Sequence, residues 1–281
     1  MNHLIRSDRA ARTAIDVTPE SANWKYLRFR VSQLKAGDRM EFASGGDEVA
    51  IVPLEGSYSV SVGGERFEIS RKGVFAEMPH IVYVPPGHDV SVEAATDCEI
   101  ATGGAPAEGK YPVRMFTPGE MHSEVRGGGQ ALRQVNHVLA HPLPAERLIL
   151  FEVYVPGGIW SGWPPHCHDG FQESANLEET YYFRVDPDYG FAFHRNYRID
   201  KDFDESFAVG DRDLVLVTQG FHSTAAAPNC NLYFLNYLAG DLLDDERARP
   251  PHDDPKFAWI RQDWEANPMP LPVFPETTSG S

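Results

Sequence analysis

Basic charge, cysteine, helical periodicity and long apolar runs are all scarce in this chain of 281 residues, and each scarcity excludes something. Lys and Arg number 25 against 41 Asp and Glu, a formal net charge of −16. That argues against nucleic-acid and anionic-membrane partners, because both reward clustered cations. Three cysteines, Cys98, Cys167 and Cys230, are too few and too odd for a disulfide framework. No apolar run reaches the ~18 residues of a spanning helix. The polar start, MNHLIRSDRAARTAID, lacks the apolar stretch of a secretory signal. A reducing, cytoplasmic setting is the expectation. An anionic substrate of such an acidic chain must be met by locally placed Arg or Lys.

What is present is strand. Short alternating runs such as KYLRFRVSQL, EVAIVPLEG, SYSVSVGG and HIVYVPPG are broken by Gly, Pro and acidic turns. That rhythm predicts an all-β barrel or sandwich. A second series begins near Leu148 with RLILFEVYVPGG and continues through EETYYFRVDP, FAFHRNYRI, DLVLVTQG and NLYFLNYLAG. The length suits two domains. We place them at 1–140 and 141–265, followed by a Pro-rich tail at 266–281 that is extended, disordered or strapped onto a neighbour. The stretch Val125–Gln130, VRGGGQ, reads as a turn beside a site or as a linker. One short helix is expected near Asp254–Glu265, where Phe257, Ile260, Arg261 and Trp264 share a face. Exposed β-edges and the tail are compatible with a homo-oligomer.

The densest chemistry lies at Pro164-Pro165-His166-Cys167-His168-Asp169. On a strand, His166 and His168 project from one face and Cys167 from the other. A carboxylate at Glu178 or Glu179 and an imidazole at His222 would complete a divalent-metal site, and parity alone does not choose between the two glutamates. Such ligands suit Zn, Mn, Fe, Co or Ni. Arg195 is the candidate anchor for a substrate carboxylate; the alternative is a solvated strand residue. Arg195 and Tyr197 share a face, and His194 lies on the other.

These segments carry a resemblance. WSGWPPHCHD (160–169), EETYYFRV (178–185), GFAFHRNY (190–197), DLVLVTQGFH (213–222) and LYFLNYLAGD (232–241) resemble, in order, the cupin-fold uronate isomerases, in particular the 5-deoxy-glucuronate isomerases of myo-inositol catabolism. Weaker echoes are VYVPPG (82–87) and RGGGQALRQVNHVL (126–139). The resemblance implies a bicupin of two small jelly-roll barrels, with a metal in the C-terminal one only. It implies His166, His168, Glu179 and His222 as ligands. Cys167, Thr218, Ser223, Arg212 and His194 depart from the family pattern, and His194 falls near the expected substrate wall.

The implied reaction converts 5-deoxy-D-glucuronate to 2-deoxy-5-keto-D-gluconate, an aldose–ketose isomerisation on a small sugar acid. A cis-ene-diol route competes with a hydride shift. Glu178, Tyr197 and a hydroxide at the ion are the candidate bases. The alternatives are a 4-deoxy-L-threo-5-hexosulose-uronate isomerase of pectin breakdown, a cupin dioxygenase, or a sugar-acid sensor without turnover.

Overall fold

Alternation of apolar and polar residues produces three antiparallel sheet systems in this computed structural model, which describes residues 2–269 together with 271 and 273. The first barrel takes strands from Thr13–Val17 to Arg114–Phe116. Its longest strand, Asp47–Val62, serves two faces. Residues 47–55 pair with Ile81–Val84 and Cys98–Pro106, and 56–62 pair with Glu65–Arg71 and Asp89–Ala94. The bend between them falls at Gly56, where φ is +91° and a Cβ would sit 2.6 Å from that of Cys98. Only glycine fits there.

The second barrel faces a seven-stranded sheet with a five-stranded one. It receives His122–Arg126 and Arg133–Leu139, which form a hairpin on the edge of the larger sheet. The change of barrel therefore comes between residues 116 and 122, earlier than the expected boundary at 140. Leu4–Ile5 also joins this barrel, pairing with residues 214 and 215. Hydrogen-bonding partners, which sequence periodicity does not report, decide the boundary. The expected helix is a 3-10 turn, Ala258–Gln262. The expected 266–281 tail lies largely outside the described residues. Among the described residues no helix is long and apolar enough to cross a membrane.

The strand Asn231–Gly240 shows why its sequence is apolar almost throughout. Leu232, Phe234 and Leu238 face the interior of the second barrel, whereas Tyr233, Leu235, Tyr237 and Ala239 pack into the cluster shared with the first. A sheet buried on both faces loses the simple alternation.

Polar stitches cross the same boundary. Arg71 makes a bidentate pair with Glu152 at 2.7 and 3.0 Å, both side chains fully buried, and Tyr233 donates to Glu152 at 2.7 Å. Glu48 accepts the backbone N–H groups of Glu146, Arg147 and Leu148 at 2.5–2.8 Å. Glu48 thus satisfies backbone donors, and Glu152 the buried side-chain donors of Arg71 and Tyr233, that would otherwise lack partners.

Candidate metal centre and cavity

Trp160–Cys167 and the residues just after it run alongside Phe221–Ala226, and Leu177–Asp186 lies on the facing sheet. Period-two projection sends His166, His168, Glu179 and His222 inward. Ligand atoms of His168, Glu179 and His222 lie within 4.8 Å of one another, and all three residues are buried. The His166 ring stands 4.5 Å from that of His222 and 6.3 Å from that of His168, beside this tight trio.

The donor set fits a cation. His168 Nδ1 lies 3.1 Å from the carbonyl oxygen of Leu177. A carbonyl only accepts, so Nδ1 carries a hydrogen, and in the neutral form of the ring Nε2 presents a lone pair. That Nε2 sits 2.8 Å from Glu179 Oε2, and His222 Nε2 sits 3.3 Å from the same oxygen. Acceptors facing at this distance need a proton or a metal ion between them. Both ring nitrogens of His222 are buried without a hydrogen-bond partner, which is costly unless a ligand is met there. Burial, reinforced by neighbouring imidazoles, pushes His166 down to about 3 and His222 well below the usual histidine range. Both rings are therefore neutral and able to ligate. For His168 burial acts downward, but the hydrogen bond and charge of Glu179 outweigh it.

The site opens into a cavity of about 470 Å³. Arg126, Arg133, Arg247, Arg249 and Arg261 line it, against a single acidic residue, Glu179. In a chain of net charge −16, this is a local reversal of sign. Tyr181 and Asn236 add uncharged polar groups to the wall.

A match to the KduI/IolB family runs over residues 3–260. The chain belongs to the KduI/IolB family. It is 38% identical over 253 residues to the 5-deoxy-glucuronate isomerase of Geobacillus kaustophilus, spanning 88% of this chain and 90% of that protein. To the Bacillus subtilis protein of the same name it is 30% identical over 272 residues, spanning 92% and 99%. A solved IolB-like protein from Salmonella typhimurium LT2 superposes with a TM-score of 0.88 at 34% identity, over 93% of this chain and 100% of that one. A Bacillus subtilis oxalate decarboxylase, 13% identical with a TM-score of 0.63 over 90% of this chain and 79% of that one, shares the fold. The architecture is an all-β bicupin.

Several residues of this KduI/IolB chain occupy places other than those expected from the sequence. Glu178 points to the opposite side of its strand from Glu179. Its carboxylate accepts the backbone N–H groups of Lys25, Tyr26 and Leu27 at 2.6–2.9 Å, a structural duty that removes it as a base. Tyr197 packs beside Cys167 and Phe221, outside the cavity, and its hydroxyl donates to the buried Asp254 at 2.6 Å. Arg195 lies on the outer face, about half exposed, with its guanidinium paired to Asp204 at 2.8 and 2.6 Å and set over the Tyr197 ring. His194 faces inward but behind His222, its ring 6.2 Å away and stacked. It is held by Thr224 at 2.7 Å and Asn196 at 2.8 Å, so it buttresses the site and does not line the cavity.

Cys167 is fully buried on the far face, and burial pushes its thiol up to about 12. Arg195→Ala should leave the KM for a uronate substrate unchanged, because its partner is Asp204. Steady-state kinetics check this, and a large rise in KM would return Arg195 to the site.

The cavity arginines went unrecognised in the sequence. Arg126 and Arg133 face each other across the edge hairpin whose loop, residues 127–132, begins with Gly127–Gly129, and Arg261 comes from the 3-10 turn Ala258–Gln262. The VRGGGQ stretch is thus a turn beside the site.

Proposed function

We propose that the chain is a metal-dependent aldose–ketose isomerase acting on 5-deoxy-D-glucuronate, with His166, His168, Glu179 and His222 holding one divalent ion. The observation that carries this reading is the pairing of a buried His/Glu cluster, in which both ring nitrogens of His222 lack a hydrogen-bond partner, with an arginine-lined cavity. The first suits a Lewis-acid centre and the second a carboxylate-bearing substrate. The relatives named as 5-deoxy-glucuronate isomerases support the particular sugar acid.

A bound ion would polarise the carbonyl and its neighbouring hydroxyl. The chain supplies the rest. Glu179 and the histidines orient that centre, held in turn by the Leu177 carbonyl and the His194 buttress. The isomerisation removes a proton from the carbinol carbon and returns one to the former aldehyde carbon, with no net redox change. Tyr181, whose ring lies 5.6 Å from that of His222 on the cavity wall, is placed to hold and move a proton at the substrate oxygens.

The test is NMR of 5-deoxy-D-glucuronate with the chain in D₂O. The expected product is 2-deoxy-5-keto-D-gluconate carrying solvent deuterium, and Tyr181→Phe should lower kcat by about 10²-fold. Absence of solvent deuterium would contradict the ene-diol route in favour of a hydride shift. Turnover of 4-deoxy-L-threo-5-hexosulose uronate in preference to this substrate would contradict the assignment of the sugar acid.

A further inference from the structure

Arg133 is the most unusual charged group in the cavity. It opens the strand Arg133–Leu139, is 7% exposed, and lines the same cavity as the metal centre. One nitrogen, Nη1, donates to the Ala131 carbonyl at 3.0 Å, while Nε is buried without a partner. Of the other cavity arginines, two are paired with carboxylates, Arg247 donates to the backbone carbonyls of Leu143, Asp244 and Ala145, and Arg249 is exposed. Arg126 is paired with Glu124, and Arg261 forks onto Asp253. Arg133 has no carboxylate partner among the described residues. Burial, then repulsion from Arg126 and Arg261, pushes it down to about 10, still charged at neutral pH. A buried guanidinium without a counter-charge is strongly unfavourable, and the fold keeps it in a cavity open to ligand.

The loop before it is built around this side chain. Gly127 has φ of +88°, and a Cβ there would lie 2.7 Å from Arg133 Nη1; a Cβ at Gly128 would lie 2.7 Å from the Trp264 ring. The triple glycine lets the turn close over the arginine and under Trp264 at once.

We propose that Arg133 is the carboxylate-binding residue of this cavity. It forms a charge-assisted pair with the substrate's carboxylate while the other end of the sugar acid reaches the His/Glu cluster. This rests on the uronate reading above and gives that reading its specificity determinant. An acid is selected over a neutral aldose because only the acid supplies the missing counter-charge.

The test compares binding of D-glucuronate and D-glucose to the full chain by calorimetry, in wild type and Arg133→Met, with the Tm of each ligand-free protein. Wild type should prefer the acid, and Arg133→Met should weaken D-glucuronate binding by about 30-fold while leaving D-glucose unaffected, the scale of a lost charged hydrogen bond. Ligand-free Arg133→Met should melt at the same or a higher temperature, because an unpaired buried charge has been removed. A preserved preference for the acid would overturn the proposal, as would a lower Tm with both sugars weakened together, which marks a merely structural arginine. Should Arg133→Met fail to fold, Arg133→Lys carries the same test: a reduced preference supports the forked pair, and an unchanged one overturns it. Loss of preference in the variant, with no turnover of 5-deoxy-D-glucuronate by wild type, would sink the isomerase reading and leave the anion site standing. Turnover with an unchanged preference in Arg133→Met would do the reverse.

Discussion

Replacing His222 by Gln should abolish activity while the protein stays folded. His222 is fully buried with both ring nitrogens unpartnered by protein, so its hydrogen-bonding capacity is available only to a ligand. Glutamine keeps much of the volume against Tyr181, His166 and His194 and removes the imidazole. If His222 holds a Lewis-acid centre worth several kcal/mol in the transition state, kcat/KM should fall by about 10³-fold or more, with bound metal falling in parallel. Far-UV circular dichroism and the thermal midpoint control for folding. Retained activity with a lowered midpoint would make His222 a core residue and nothing else.

The second large effect concerns stability. Arg71 and Glu152 join the two barrels through a fully buried, bidentate pair that Tyr233 completes. Burial acts against the arginine's charge, but the adjacent carboxylate outweighs it and raises its pKa. Removing one partner leaves the other charge stranded. Arg71→Met should therefore cost about 3–5 kcal/mol. The double variant Arg71→Met with Glu152→Leu should recover most of that loss, since an apolar pair of similar volume needs no counter-charge. Denaturant unfolding of the four proteins measures the coupling. Additive losses would mean that the pair contributes nothing as a pair.

The contrast between these sites shows what residue patterns carry. The His166-x-His168 spacing and the strand context of Glu179 and His222 made the inward-facing His/Glu cluster legible, because period-two projection is a local property. Whole-segment rhythm likewise made the β architecture legible. Which face of a strand looks inward is not local. Phe191 and Phe193 are apolar yet exposed on the outer side of their strand, so Arg195, sharing that face, resembled a wall residue and is not one. The Glu178–Glu179 pair was ambiguous for a related reason: that strand is buried on both sides, against its own barrel through Tyr181 and against the other through Tyr182. The cavity arginines were hidden because an edge hairpin and a C-terminal turn, distant in sequence from the ligands, bring them together.

In the proposed function, turnover depends on a metal held by the buried His/Glu cluster. The most direct measurement is elemental analysis of the purified chain alongside its 5-deoxy-D-glucuronate isomerase activity before and after chelation. One divalent ion per chain, loss of activity when it is stripped, and recovery when it is returned are the expected results. Undiminished turnover by the metal-free protein would contradict that dependence.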